Sequence, residues 1–448
     1  MRIFFEKSDF TIALAVILIF ASYIFLPFFI FTPLVQISMD SFTYSYLAKL
    51  IFDGNIPALE LITDLPVGYP LIISLTRFLK LSFNQLVVFQ LVFYMISFVF
   101  LCFQLSRFTK FGGVVAMITF IFYSLNSHTI KHVFTVNPES FYTSTLILLV
   151  GGLFYYLRSK TKSSLVIIFL CITAASLLRS NGVYLFFIVL FIFYEILKTK
   201  DNLRFYFISC LACLLLISSF NYTIKGEFAP FDKKRISKVL TVLSNDISSV
   251  ELDSLKKETK TQPPRKTMFF HYFTSFFKRH TSYYYSMQKT NFKRISKNKT
   301  FSNLDQKFFD GALSVRNSDL NLLTFMFQDK NYHPKILRNI DFRSGKENIW
   351  LYSLYVIQEI IYYLKINFIF LFLFLGYLIY HISLIFYKKK LNRQFIIFSI
   401  HLVSFLILPF IHGRFVYRYI QVSEFIIYIG ALLFIMSLFY RKKLKKSD

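Results

Sequence analysis

Carboxylates and arginines stand at the ends of long apolar segments in this sequence, where they could do chemistry. Asp40 follows the first apolar segment, Glu139 lies within VNPES, and Arg179 precedes SNG. Two more arginines, Arg414 and Arg418, lie in HGRFVYRY near the C-terminus. A carboxylate can accept the proton of an attacking hydroxyl. Arginine can donate two parallel hydrogen bonds to the oxygens of a phosphate, and its charge stabilises a phosphate that leaves. These residue types therefore suit the transfer of a sugar from a lipid-linked phosphate.

The elements that must position these residues are membrane-spanning helices. The chain has 448 residues, 55% of them hydrophobic, and a mean hydropathy of +0.52. Its apolar residues form long runs, which exclude an ordinary soluble domain. About ten spans are predicted from run length, at 10–33, 85–106, 111–127, 139–157, 163–178, 183–198, 204–221, 366–387, 394–411 and 418–440. The expected fold class is an all-α polytopic membrane protein.

Positive charge sets the predicted orientation of these spans. The net charge is +27. With the N-terminus inside, the short inner segments hold more than twice as many Lys and Arg residues as the short outer segments, as membrane insertion favours. Membrane topology therefore explains the excess of basic over acidic residues, and no nucleic-acid partner is expected. Both termini are expected in the cytoplasm, with the candidate residues on the extracytoplasmic face of a bacterial inner membrane.

Three regions follow from this topology. They are an N-terminal transmembrane region (1–221) that includes the first outer loop (34–84), a large extracytoplasmic loop (222–349), and a C-terminal transmembrane region (350–448). In the first outer loop, Ile37–Gly54 places Tyr44, Leu47 and Ala48 on one face, which predicts a helix lying on the membrane surface. Gly68–Leu81 is predicted to be a second interfacial or re-entrant helix. The basic large loop suits anionic headgroups or diphosphates.

Four sequence motifs together resemble the GT-C superfamily of membrane glycosyltransferases, which includes protein O-mannosyltransferases and lipid A aminoarabinose transferases. MDSFTYSYLAKLIFDGN followed by DLPVGYPLIISL looks like the first outer loop of that superfamily. VNPESFYTSTLILL is similar to its second acidic position, and SLLRSNGVYLF to its Leu-Arg-Pro-Asn-Gly turn. HGRFVYRYIQVSEFIIYIGALL is similar to its Arg-Tyr segment. The resemblance covers the membrane region, most strongly residues 1–200, and not the large loop.

The resemblance implies a role for each matching residue. Asp40 would be the catalytic base, and Glu139 a second acid that orients the acceptor or a divalent metal ion. Arg179, with either Arg414 or Arg418, would contact the carrier phosphate. The positions assigned to support of the acceptor or the first outer loop are Tyr44, Asp64 and Tyr69. The chain departs from the family pattern where Ser41 replaces a second acid and where Ser180 replaces proline.

A metal site is a separate possibility. His128 and His132 lie four residues apart, so on a helix they would share a face at metal-ligand spacing. Glu139 is the available third ligand. The alternative is a pair of ordinary interfacial histidines.

The sequence predicts a polyprenyl-phosphate sugar donor, a lipid, glycan or protein acceptor, and contact with membrane lipids. A lipid or glycan transporter is a second hypothesis, but transporters usually carry polar or broken positions near mid-membrane, and these span centres are nearly free of charge. A third is a polysaccharide polymerase or O-antigen ligase, which the large basic loop favours. The sugar and the acceptor are not specified by any motif.

Overall fold

The computed structural model describes residues 2–31, 39–54, 66–124, 127–199, 203–225, 228–229, 372–373, 375–382, 396–401 and 422–444. Within these ranges the chain is almost entirely helical and contains no β-strand, so the all-α prediction is confirmed there. Asp64, Arg414 and Arg418 lie outside the described residues, as does nearly all of the predicted loop 222–349.

Ten of the described helices lie within the first 225 residues, and one lies near the C-terminus. In chain order they are α1 (Arg2–Phe31), α2 (Met39–Phe52), α3 (Gly68–Phe78), α4 (Phe83–Phe108), α5 (Gly112–Ser124), α6 (Ser127–Phe134), α7 (Pro138–Ser159), α8 (Lys162–Leu178), α9 (Phe186–Thr199), α10 (Leu203–Lys225) and α11 (Phe425–Leu444). A short 3₁₀ helix, Ser180–Leu185, joins α8 to α9. Helical turns also cover 375–382 and 396–401. The two stretches predicted to be interfacial helices form α2 and α3, and their position at the membrane surface stays a prediction.

Several of these helices have the composition of membrane spans. By length and hydropathy, Phe83–Phe108, Pro138–Ser159 and Leu203–Thr223 could each cross a bilayer. Shorter apolar helices cover Asp9–Ser22, Gly112–Ser124, Lys162–Leu178 and Phe425–Met436. The chain is therefore a membrane protein, whereas the count of ten spans and the sidedness of the termini stay predictions.

Helix α7 lies at the centre of the bundle, between α4 and α8. Its glycine pair makes this close packing possible. A Cβ atom added to Gly151 would lie 2.7 Å from the Phe100 ring, and one added to Gly152 would lie 3.0 Å from the side chain of Ile167. Small residues at such contacts let membrane helices approach closely. The first turns of α7 are buried as well, from Pro138 to Ile147.

The packing defines two ends of the bundle. Helix α1 runs antiparallel to α4, because Phe10 meets Phe103 at 5.4 Å between ring centroids and Phe25 meets Tyr94 at 6.4 Å. At the start of α1 the Asp9 carboxylate accepts a 2.8 Å hydrogen bond from the Gly113 N–H. We call the other end, which holds α2, α3, α6 and the first turn of α7, the site end.

Candidate active site

A buried ion pair joins α7 to the end of α8. The Arg179 Nη1 atom lies 3.3 Å from the Glu139 Oε1 atom, and the two side chains are only 10% and 3% exposed. Both residues are candidates from the sequence, and the structure brings them together at the site end. Opposite charges at this distance in a weakly polar surrounding attract strongly, so each fixes the position of the other.

The start of α7 is built to carry a carboxylate. Asn137 is the N-cap residue, Pro138 occupies the first helical position, and Glu139 lies in the first turn. Proline there gives up no helical hydrogen bond, and a negative charge in the first turn is stabilised by the helix dipole. The VNPES motif therefore both begins the helix and anchors the buried acid.

Arg179 is held where α8 ends and the 3₁₀ helix begins. Its backbone is extended, with φ −145° and ψ 135°, and its N–H donates to the Ala175 carbonyl at 3.0 Å. The Arg179 carbonyl accepts from the Gly182 N–H at 2.8 Å. A Cβ atom on Gly182 would collide with the Ala175 carbonyl group, so the SNG turn requires glycine at this position.

One tyrosine lies against the arginine and is hydrogen-bonded to a second tyrosine. The Arg179 Cζ atom lies 5.9 Å from the centroid of the Tyr142 ring, within the range of a cation–π interaction. The Tyr142 hydroxyl donates to the Tyr184 hydroxyl at 3.4 Å, which connects α7 to the 3₁₀ helix after α8. The guanidinium is thus held both by a carboxylate and by an aromatic face.

Helix α2 is attached to the start of α7 by one side-chain hydrogen bond. The Ser41 hydroxyl donates to the Asn137 side-chain oxygen at 3.2 Å, and Ser41 is fully buried. Asn137 therefore uses its side chain to hold α2 and makes no side-chain cap on its own helix. Asp40 immediately precedes Ser41 in the first turn of α2, so its backbone lies beside the α7 N-terminus. The side chain of Asp40 lies outside the described side chains.

The aromatic face of α2 packs on α3. The Tyr44 and Tyr69 rings meet edge to face at 5.4 Å, and Tyr69 in turn lies 6.1 Å from Phe141 on α7. Burial raises the pKa of Tyr69 well above its usual value, and the Glu139 carboxylate and Tyr44 raise it further. Tyr69 therefore stays protonated and acts as a hydrogen-bond donor beside the buried acid.

Gln90 on α4 is the hydrogen-bond partner of Tyr69. The Tyr69 hydroxyl donates to Gln90 Oε1 at 2.8 Å, while Gln90 Nε2 donates to the carbonyls of Val133 and Thr135 at 3.0 and 3.1 Å. One amide thus orients both α3 and the turn that leads into α7. Sequence reasoning missed Gln90, although a glutamine inside an apolar run is the signal that could have identified it.

The two candidate metal-binding histidines both belong to α6, as their spacing predicts. Among the described residues no group of three His, Cys, Asp or Glu side chains is close enough to hold a metal ion. The His128 side chain lies outside the described side chains, so that pairing stays a prediction. Glu139 is a poor metal ligand in this arrangement, because the guanidinium beside it repels a cation.

The structure thus groups four of the candidates, Tyr44, Tyr69, Glu139 and Arg179, around the start of α7 next to the first turn of α2. Such a site offers a buried acid, a cation and a tyrosine donor in one place. Comparison of the chain with protein-family models, with curated proteins and with solved structures gives no match.

Proposed function

We propose that this protein is a membrane glycosyltransferase of the GT-C type. It moves a sugar from a polyprenyl-phosphate donor to a lipid, glycan or protein acceptor, with inversion at the anomeric carbon. The observation that carries the proposal is the buried Glu139–Arg179 pair, because it places an acid and a phosphate-binding cation beside the helix that bears Asp40.

In the proposed reaction, Asp40 accepts the proton of the acceptor hydroxyl. The hydroxyl oxygen attacks the anomeric carbon as the bond from that carbon to the carrier phosphate oxygen breaks, and the phosphate leaves with the bonding electrons. Arg179, together with Arg414 or Arg418, binds the phosphate. A guanidinium has five N–H groups, so contact with Glu139 is compatible with simultaneous contact with phosphate oxygens.

Glu139 has two roles in this proposal. It keeps the Arg179 guanidinium in place at 3.3 Å, and as a second acid it orients the acceptor. Tyr69, which stays protonated, supports the same region from α3. The excess of Lys and Arg in the short loops predicted to be cytoplasmic supports a position of the site end on the extracytoplasmic face.

The test is a glycan analysis of a deletion strain that carries plasmid-borne variants. We expect Asp40→Asn, expressed at the wild-type level, to lower sugar transfer by about 100- to 10,000-fold, as the loss of a general base does. Asp53→Asn is the matched control, because Asp53 is exposed at the other end of α2. Mass spectrometry of glycolipids and glycoproteins should show a glycan that lacks one sugar in the deletion and Asp40→Asn strains alone. Wild-type glycans in the Asp40→Asn strain would contradict the proposal.

A polymerase or O-antigen ligase is the second candidate, favoured by the large basic loop at 222–349. It would use a diphosphate-linked donor bound by that loop. Unchanged transfer in Asp40→Asn, combined with loss of transfer after Arg→Ala changes in the loop, supports this alternative.

A further inference from the structure

The hydroxyl of Tyr123 is a buried junction of four elements. Tyr123 lies near the end of α5 and is 1% exposed. Its hydroxyl donates to the Val422 carbonyl at 3.4 Å, just before α11. Thr143 on α7, Thr129 on α6 and the Glu424 carboxylate also lie close enough to this hydroxyl to interact with it. A single tyrosine oxygen thus connects α5, α6, α7 and the turn before α11.

The turn that carries Glu424 is itself firmly held. Glu424 is 1% exposed and lies directly before the first residue of α11. The Phe425 ring lies 5.7 Å from the Tyr123 ring and 6.5 Å from the Phe98 ring. The residue before Glu424 is Ser423, whose hydroxyl lies 2.8 Å from His401 Nδ1. A carboxylate at a helix N-terminus is stabilised by the helix dipole.

This junction bears on the candidate active site through α7. Thr143 follows Glu139 by four residues, which is one helical turn, and so it lies on the same side of the helix. Tyr142, between them, is the residue whose ring faces the Arg179 guanidinium. The contact between Thr143 and Tyr123 therefore restrains the part of α7 that carries both contacts of Arg179.

We propose that Tyr123 and Glu424 are positioning residues for the candidate active site, which they act on through Thr143. They tie the last helix to the first turns of α7 and so keep Glu139 in contact with Arg179. The role in catalysis rests on the function proposed above, whereas the geometric role does not.

A neighbouring tyrosine provides the matched control. The Tyr94 hydroxyl lies 3.0 Å from the Ser124 hydroxyl, and Tyr94 is as deeply buried as Tyr123. Its hydrogen bond connects α4 to α5 and reaches neither α7 nor the turn before α11. Removal of either hydroxyl should disturb packing similarly, but only removal of the Tyr123 hydroxyl should disturb Glu139.

The experiment measures the reactivity of Glu139 in the purified full-length protein. Dicyclohexylcarbodiimide modifies protonated carboxyl groups in apolar surroundings, and peptide mass spectrometry quantifies the product at Glu139. Arg179→Ala, which removes the counter-ion, sets the upper limit. We expect Tyr123→Phe to raise modification of Glu139 by about fivefold, the effect of one buried hydrogen bond, and Tyr94→Phe to leave it at the wild-type level. Equal modification in the two Phe variants would overturn the proposal.

Two further comparisons keep the test decisive if Tyr123→Phe does not fold. Thr143→Val removes the α7 partner of the junction and should raise the reactivity of Glu139, whereas Thr143→Ser keeps the hydroxyl and should restore it. Equal reactivity in these two variants would also contradict the proposal. Glu424→Gln should raise the reactivity of Glu139 in part, because it removes the charge that interacts with Tyr123 but keeps the volume of the side chain, and Glu424→Ala should raise that reactivity further.

Sugar transfer in membrane vesicles supplies the catalytic readout. Tyr123→Phe should lower kcat about fivefold with little change in the donor KM, because it displaces Glu139, which orients the acceptor, and removes no donor contact. A wild-type protein that transfers no sugar would contradict the proposed function, but the labelling comparison would still decide the positioning role. An active wild type with equal kcat in the two Phe variants would contradict the positioning role alone.

Discussion

The Glu139 carboxylate and the Arg179 guanidinium form a buried ion pair at 3.3 Å between the first turn of α7 and the residue that follows α8. The two residues come from separate motifs, VNPES and LRSNG, that the helices bring to the same end of the bundle. A pair this deeply buried is costly to assemble, since both charges must leave water. The proposed function accounts for this cost, because the pair lies beside α2, the helix that carries Asp40.

Removal of one partner of this pair should be strongly destabilising. Glu139→Gln or Arg179→Gln alone leaves one buried charge without its counter-charge, and we expect the free energy of unfolding to fall by about 3–5 kcal/mol. Thermal unfolding in detergent measures the loss. The double variant should recover much of the stability, because no isolated charge remains, while its sugar transfer stays at the background level.

Arg158→Gln is the control for that experiment. Arg158 is exposed at the opposite end of α7, with its Cζ atom 5.5 Å from the Tyr155 ring centroid. An exposed contact of this kind is worth about 0.5–1 kcal/mol, so the variant should unfold close to the wild-type temperature. If the stability losses of Glu139→Gln and Arg179→Gln simply added up in the double variant, the carboxylate and the guanidinium would not interact.

The bond between Tyr69 and Gln90 should contribute both stability and activity. Tyr69→Phe keeps the ring contacts with Tyr44 and Phe141 but leaves a buried amide oxygen of Gln90 without its donor, which costs about 1–3 kcal/mol. The same variant should slow sugar transfer, because the turn that leads into Glu139 depends on Gln90. A thermal melt and a transfer assay on the same preparation measure the two effects.

For comparison, Tyr222→Phe removes a hydroxyl from a side chain that is 60% exposed, and it should change neither the thermal stability nor the rate of sugar transfer. A Tyr69→Phe variant as stable as the wild type would show that the Gln90 amide oxygen does not depend on the Tyr69 hydroxyl.

The sequence predicts much of this architecture because its strongest signals are local. Long apolar runs mark the helices, and the positions of Asp40, Glu139 and Arg179 at helix ends follow from hydropathy alone. Helical spacing places Tyr44 on the buried face of α2, and the structure confirms it at 7% exposure. The predicted topology also places Glu139 and Arg179 at the same depth and side, and the structure adds their direct contact.

The remaining contacts could not be predicted, because they depend on which helices are neighbours. The bond from Ser41 to Asn137 joins residues 96 positions apart, and the bond from Tyr123 to Val422 joins residues 299 apart. Neither residue type nor spacing encodes these pairings. Glu424 is the clearest example, since nothing in VSEFIIY distinguishes a buried acid from one that merely begins a helix.

Gly182 should be intolerant of any side chain. Alanine there would bring its Cβ into the Ala175 carbonyl, so either the last turn of α8 or the 3₁₀ helix must move, and both hold Arg179. We expect Gly182→Ala to cost about 1–3 kcal/mol, as overpacking does, and to lower sugar transfer. Gly376→Ala is the control, since its Cβ would make an ordinary 3.5 Å contact with the Phe434 ring. Equal stability of the two alanine variants would show that the SNG turn adapts.

The attachment of α2 to α7 provides the last prediction, because it bears on Asp40 directly. Ser41→Ala removes the hydroxyl that donates to Asn137 and leaves the buried amide oxygen with one donor fewer. Asp40 is the adjacent residue, so a small displacement of the α2 first turn moves the proposed base away from the acceptor hydroxyl. We expect sugar transfer to fall by about 10-fold, more than the modest loss of stability from one hydrogen bond explains.

Ser159→Ala, at the far end of α7, removes an exposed hydroxyl that donates to the Tyr155 carbonyl at 2.9 Å, and it should leave transfer unchanged. Ser41→Thr keeps the donor and should be more active than Ser41→Ala. If Ser41→Ala and Ser159→Ala transferred sugar at the same rate, the hydrogen bond to Asn137 would not set the position of α2. The nearness of Asp40 to the start of α7 would then be incidental, and the assignment of Asp40 as the base would rest on the Asp40→Asn result alone.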